Sequence, residues 1–281
     1  MTTPARCKLG DLFELGSKTV ALRDDLWCAF DIGLPLKLRV LAELADTADA
    51  IASGLRPWAG TSRALSHTHR EIRETTSRLV TAVHLVELAS EQIVAGLVTH
   101  GRRLQPEAEG AHWDRRLAAA ASEPLYAAHS LLAQVPAACT DVVETLASVL
   151  PPADNATTAT APAERLSALQ YAVLREVSLG TVSLSQQAER AHVFCDGNLH
   201  VTRATTNSLE SRGLVQREVK HPSFASWRLH LTTAGRTSLL AGLASALHHS
   251  PTAPQARIAA VRFSSSGRPA SPPQQRRPPS R

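Results

Sequence analysis

The side chains best placed to do chemistry are concentrated between Thr202 and Arg228. Thr202, Arg203, Thr205, Thr206, Asn207, Ser208 and Arg212 lie in one short segment, and Arg217, Lys220 and Arg228 follow it. Thr and Asn can meet base edges or phosphates, and Arg can pair bidentately with guanine. Arg217, Lys220 and Arg228 could each neutralise a phosphate, which would steepen the salt dependence of binding. The plainer reading is a solvated helix face and a charged ribbon edge that deters strand-to-strand aggregation. Six basic residues stand between Val201 and Arg236 against Glu210 and Glu218 alone, which favours a polyanion.

Other reactive side chains form no pattern. His67 and His69 cannot share a helix face as a ligand pair, and His84, His100, His112 and His129 are scattered. Cys7, Cys28, Cys139 and Cys195 lack metal-binding spacing and read as reduced thiols. No phosphate-binding glycine loop, nucleophile elbow or diagnostic carboxylate pair occurs. The expectation is a protein that is not an enzyme, with no metal and no cofactor.

The elements around Thr202 are legible. Thr202 suits an N-cap, Leu209 the buried position and Gly213 the left-handed stop of a helix. Gln216–Lys220 reads as extended, 221–226 as a turn-rich tip and Trp227–Leu231 as a returning strand. Thr232 then opens another helix. Upstream, Glu164–Leu179 has a helical apolar face and Gly180 as its stop. Residues 181–200 admit a short helix at Val182–Ala188 or, preferred, a strand at 181–184 followed by a hairpin of 191–195 with 198–201, turned by Asp196-Gly197.

Leu209-Glu210-Ser211-Arg212-Gly213-Leu214-Val215 and Leu231-Thr232-Thr233-Ala234-Gly235-Arg236 resemble the phrases that enter and leave the wing in winged helix-turn-helix regulators of the MarR type. The resemblance covers about residues 163–249. It implies a winged helix with a small antiparallel β wing, binding to double-stranded DNA and transcriptional regulation. Strands at 181–200 would depart from that pattern.

The rest of the chain reads as helical. Leu34, Leu41, Ala48 and Leu55 recur every seventh residue up to Pro57, and Leu65, Ile72, Leu79, Val86 and Ile93 form a second such series. Pro57 is expected to end the first helix. Breaks follow at 105–110, then a piece at Trp113–Ala121, another opened by Pro124 and a last one from Pro136 to Leu150. Residues 1–33 are weakly patterned, 151–162 read as a linker and 250–281 as a disordered basic tail adding non-specific DNA affinity. The net charge of +5 divides into −4 for residues 1–163, +3 for 164–250 and +6 for 251–281, so the positive charge lies with the second module and the tail.

The expected fold is mainly α: a helical bundle at 34–150 with a long coiled-coil-like hairpin, and a winged helix at 163–249. The second half of the hairpin carries more apolar residues than one partner helix covers. A homodimer through the helical domain is therefore expected, with scope for a small-molecule effector. With no signal-peptide core and no apolar run approaching membrane-spanning length, a cytoplasmic protein without membrane contact is expected. The alternative is a helical scaffold whose winged helix binds protein.

Overall fold

The computed structural model describes residues 3–31, 34–65, 70–102, 115–149, 166–187, 190–197, 199–221 and 226–248. The expected linker at 151–162, the basic tail at 250–281 and the wing tip at 222–225 lie outside these residues, as do His67, His69 and His112.

The weakly patterned N-terminus forms one long helix, α1 (Thr3–Cys28), ending in a 3-10 turn at Ala29–Asp31. Leu9, Leu12, Phe13, Val20, Leu22 and Leu26 are all buried. The stripe escapes an apolar count because small or polar residues complete it. A Cβ on Gly16 would lie 3.5 Å from Cys139, and buried Thr19 donates its hydroxyl to the Leu15 carbonyl at 2.9 Å.

Helices α2 (Leu34–Leu65) and α3 (Arg70–Gly101) form the expected hairpin and are tied by Arg56–Glu87 at 2.7 Å. Pro57 does not end α2. It lies inside the helix and is exposed, as is Ser53, whose carbonyl loses its helical partner and can be hydrated. Pro124 likewise sits within a continuous α4 (Arg115–Leu132) rather than opening a new helix. The bundle is completed by α5 (Val135–Val149). Ile72, Leu79, Val86 and Ile93 are at most 1% exposed within the single chain, packed in a core that includes Leu41, Leu55, Leu125 and Val142. Gly96 admits Leu125, whose Cδ2 would stand 2.4 Å from an added Cβ. On length and composition alone Ile72–Gly101 is apolar enough to cross a membrane, which the sequence reading did not expect; 44% of that window is buried.

The second part of the chain runs α6 (Ala168–Ser178), β1 (Val182–Gln187), β2 (Arg190–Cys195), α7 (Arg203–Ser211), β3 (Val215–His221), β4 (Ser226–Leu231) and α8 (Thr233–His248). The molecule is thus mainly helical with a small antiparallel sheet of order β2-β1-β4-β3. Residues 181–200 take the strand option, but Asp196-Gly197 is not the hairpin turn. β2 pairs with β1 instead, from Val182–Cys195 to Gln187–Arg190, and residues 199–201 form no strand. The Asp196 amide donates to the Thr181 carbonyl at 3.1 Å, which makes Asp196 the far end of the ladder.

Registers assign the sheet faces. Leu184, Val193 and Trp227 share one face, while Ser183, Phe194, Arg228 and Glu218 share the other. The second face meets α1. Gly180 turns the chain into β1 at φ 69°, a conformation glycine adopts without strain, and an added Cβ would stand 2.5 Å from Val20 of α1. Arg175 of α6 binds Glu144 of α5 at 2.5 Å, and the buried Thr140 and Ser178 hydroxyls meet at 3.2 Å. By its internal contacts, Met1–Leu247 forms one compact unit.

Candidate nucleic-acid interface

The candidate interface is built around α7. Thr202 has extended backbone and accepts from the Thr205 amide at 3.3 Å, and the two hydroxyls lie 3.0 Å apart. At the other end the Gly213 amide donates to the Glu210 carbonyl and the Leu214 amide to the Leu209 carbonyl. Gly213 sits at φ 66°, which few other residues reach cheaply. Leu209 and Thr206 anchor the helix in the core. Thr206 donates to the Arg203 carbonyl at 3.0 Å and is not presented to any ligand.

The wing's entry and exit phrases are physically joined. The Thr232 hydroxyl accepts from the Gly235 amide at 3.1 Å, capping α8, and donates to the Gly213 carbonyl at 2.6 Å. Gly235 is required there because an added Cβ would approach the Leu214 carbonyl oxygen to 2.0 Å. The end of α7 and the start of α8 are thereby held as one unit.

Two polar braces then fix the surface of α7. Gln170, which forms a reciprocal capping box with Ser167 at the start of α6, donates to the Ser208 hydroxyl at 3.2 Å and accepts from Arg212 at 3.3 Å. Arg217 of β3 meets Glu210 at 2.6 Å, and its Nη2 donates to the side-chain Oδ1 of Asn207 at 3.5 Å. Between these braces Arg203, Asn207 and Ser211 are exposed at successive four-residue steps, forming one stripe along the helix. The arrangement can present a guanidinium and a carboxamide to base edges with little loss of backbone freedom on contact.

The sequence-predicted residues therefore divide. Arg203 and Asn207 face solvent. Thr202 and Thr205 sit together at the positive end of the α7 dipole. Ser208, Arg212 and Arg217 border the stripe but already hold internal partners. Lys220 lies in β3 at a register shift between Val219 and His221, and its side chain is outside the described residues.

Arg228 is not on the wing's solvent face. Its side chain is 3% exposed and forms a two-pronged pair with Asp24 of α1, Nη2 donating to Oδ1 at 2.8 Å, while Nη1 donates to the Gly180 carbonyl. The strand alternation was read correctly, but α1 covers the face expected to meet water. Its neighbour His230 lies 3.2 Å from Glu218, and burial lowers its pKa against the opposing pull of Glu218 and Asp24. Asp24, Gln170 and Glu144 were missed by the sequence reading. No local signal marks Asp24 or Glu144, whereas Ser167 and Gln170 at capping-box spacing were readable. Compared with known protein families, characterised proteins and solved structures, the chain matches none.

Proposed function

We propose that α6–α8 is a winged helix in which the β1–β2 hairpin replaces the supporting helix, and that α7 reads double-stranded DNA in a transcriptional regulator. The carrying observation is the exposed Arg203–Asn207–Ser211 stripe on a helix capped at both ends and braced from α6 and β3. A rigid helix with an exposed guanidinium and an exposed carboxamide, the latter steadied at its oxygen by Arg217, suits the major groove, where Arg reads guanine and Asn reads adenine. Thr202 and Thr205 at the helix start are suited to a phosphate. The helical bundle serves assembly or effector sensing, and the protein acts in the cytoplasm without catalysing a reaction.

One observation favours the second reading, a scaffold that uses this module for protein contact. Arg217 and Arg228 are neutralised by Glu210 and Asp24, so the wing offers less positive charge than its sequence suggests. Incubating the full chain with random double-stranded DNA and recovering bound molecules over several rounds separates the two. A recurrent motif supports DNA reading; no retention even at low salt overturns it and favours the scaffold.

A further inference from the structure

We propose that the groove between α2 and α3 around Ser90 binds a small aliphatic diamine, its two ammonium groups held by Asp49, Glu87 and Glu91. This inference stands whether or not α7 reads DNA.

Helical spacing builds the groove. Asp49 and Arg56 stand two turns apart on α2, and Glu87, Ser90, Glu91 and Val94 recur within two turns of α3, so each set shares one helix face. The two faces line a groove of about 490 Å³, a volume suited to a small organic molecule. Asp49, Arg56, Glu91 and Val94 are exposed, so the groove opens to solvent.

The charge of the lining is unbalanced. Arg56 donates through Nε at 3.1 Å and Nη2 at 2.7 Å to one and the same oxygen, Oε1 of Glu87. Among the described residues nothing donates to Oε2 of Glu87 or to the carboxylates of Asp49 and Glu91. Three carboxylates therefore share one guanidinium, which leaves two negative charges. Exposed carboxylates are ordinarily satisfied by water, so charge alone selects no ligand.

Ser90 supplies the selection. It lines the groove at only 6% exposed, and among the described residues its hydroxyl has no hydrogen-bond partner. Other hydroxyls of α3 return to the helix: Thr76 donates to the Ile72 carbonyl, Thr81 to that of Ser77 and Thr99 to that of Ala95. Such a back-bond is the ordinary partner of a hydroxyl within a helix. Ser90 instead keeps its oxygen for the groove, where an ammonium N–H can donate to it, and a buried hydroxyl left unpaired would cost stability. Among the described residues no three His, Cys, Asp or Glu side chains gather closely enough to hold a metal ion, so these carboxylates suit separated positive charges rather than one ion. Val94, 44% exposed, offers an apolar surface to a hydrocarbon spacer. Two ammonium groups on a short aliphatic chain match the two uncompensated charges and the apolar residue beside them.

Isothermal titration calorimetry on the full chain with 1,3-diaminopropane, 1,4-diaminobutane and 1,5-diaminopentane tests the proposal. At least one of the three should bind at one site per chain, about tenfold or more tightly than butylamine or magnesium ion. Ser90→Ala and Glu91→Gln should each weaken that binding by about tenfold, while Glu43→Gln elsewhere on α2 should leave it unchanged. Ser90→Ala removes no hydrogen bond within the chain, so its unfolding midpoint without ligand should not fall, which separates lost binding from lost folding. No binding by any of the three diamines, equal binding of butylamine or magnesium ion, or binding indifferent to Ser90→Ala and Glu91→Gln would each overturn the proposal.

Discussion

Arg228 shows how a residue's role depends on what covers it. In the alternating run Trp227-Arg228-Leu229-His230-Leu231 its position is a solvent position by pattern, yet α1 turns that face into an interface and Asp24 becomes its partner. Because both side chains are buried, removing one leaves the other's charge uncompensated. Asp24→Ala is expected to lower stability by about 3–5 kcal/mol, and the double variant Asp24→Leu with Arg228→Met by less than the sum of the singles. Urea unfolding of the unmodified chain, Asp24→Ala, Asp24→Leu, Arg228→Met and the double variant measures both. His230 adds a pH dependence of known sign. Its folded pKa lies below the ordinary value of 6.5, so the folded state resists a proton that the unfolded chain accepts. Its contribution is complete above pH 6.5 and is lost as pH falls through the folded pKa. Unfolding curves collected downward from about pH 7 should therefore be flatter for His230→Asn than for the unmodified chain.

At the scale of elements, the α6–β1 turn is the most exacting joint. Gly180 combines a positive φ with the close approach of Val20, so Gly180→Ala should be destabilising by about 1–2 kcal/mol from backbone conformation alone, with the steric clash added. Adding Val20→Ala should recover the clash and leave the conformational part, a split that denaturation midpoints of the three variants would reveal. What the sequence made legible here was local. Thr202, Gly213 and Thr232 mark their helix ends because capping is decided within a few residues, and β4 followed from alternation. What stayed hidden was long-range or weakly apolar. The stripe of α1 runs through Gly16 and Thr19, the Arg228–Asp24 pair joins opposite ends of the chain, and Pro57 and Pro124 are tolerated by helices whose packing outweighs one missing hydrogen bond. Within the candidate site, spacing identified Arg203 and Asn207 but could not separate them from Thr206, which is buried, or from Arg228.

For the whole molecule, α1 is the shared wall of the helical bundle and the sheet. Leu9, Leu12 and Phe13 belong to the common core, while Val20 and Asp24 meet the α6–β1 turn and β4. A chain starting at residue 155 would expose Arg228 and His230, on the sheet face that α1 covers. It should melt over a broad range, whereas the full chain should melt cooperatively; calorimetry of the two would show it, and equal cooperativity would mean that the second part is self-sufficient. This unity also bears on recognition, because α7 is held by the same body that α1 organises. Its orientation is set by the fold before any ligand arrives.

The central claim is that α7 reads base edges through Arg203 and Asn207. Its most direct test compares full-length Arg203→Ala and Asn207→Ala with the unmodified chain by fluorescence anisotropy, on a selected DNA sequence and on random DNA at two salt concentrations. The expected result is a loss of about 1–3 kcal/mol per substitution on the selected sequence and little change on random DNA. Equal losses on both DNAs would make these residues phosphate contacts, and unchanged binding to both would contradict DNA reading by α7.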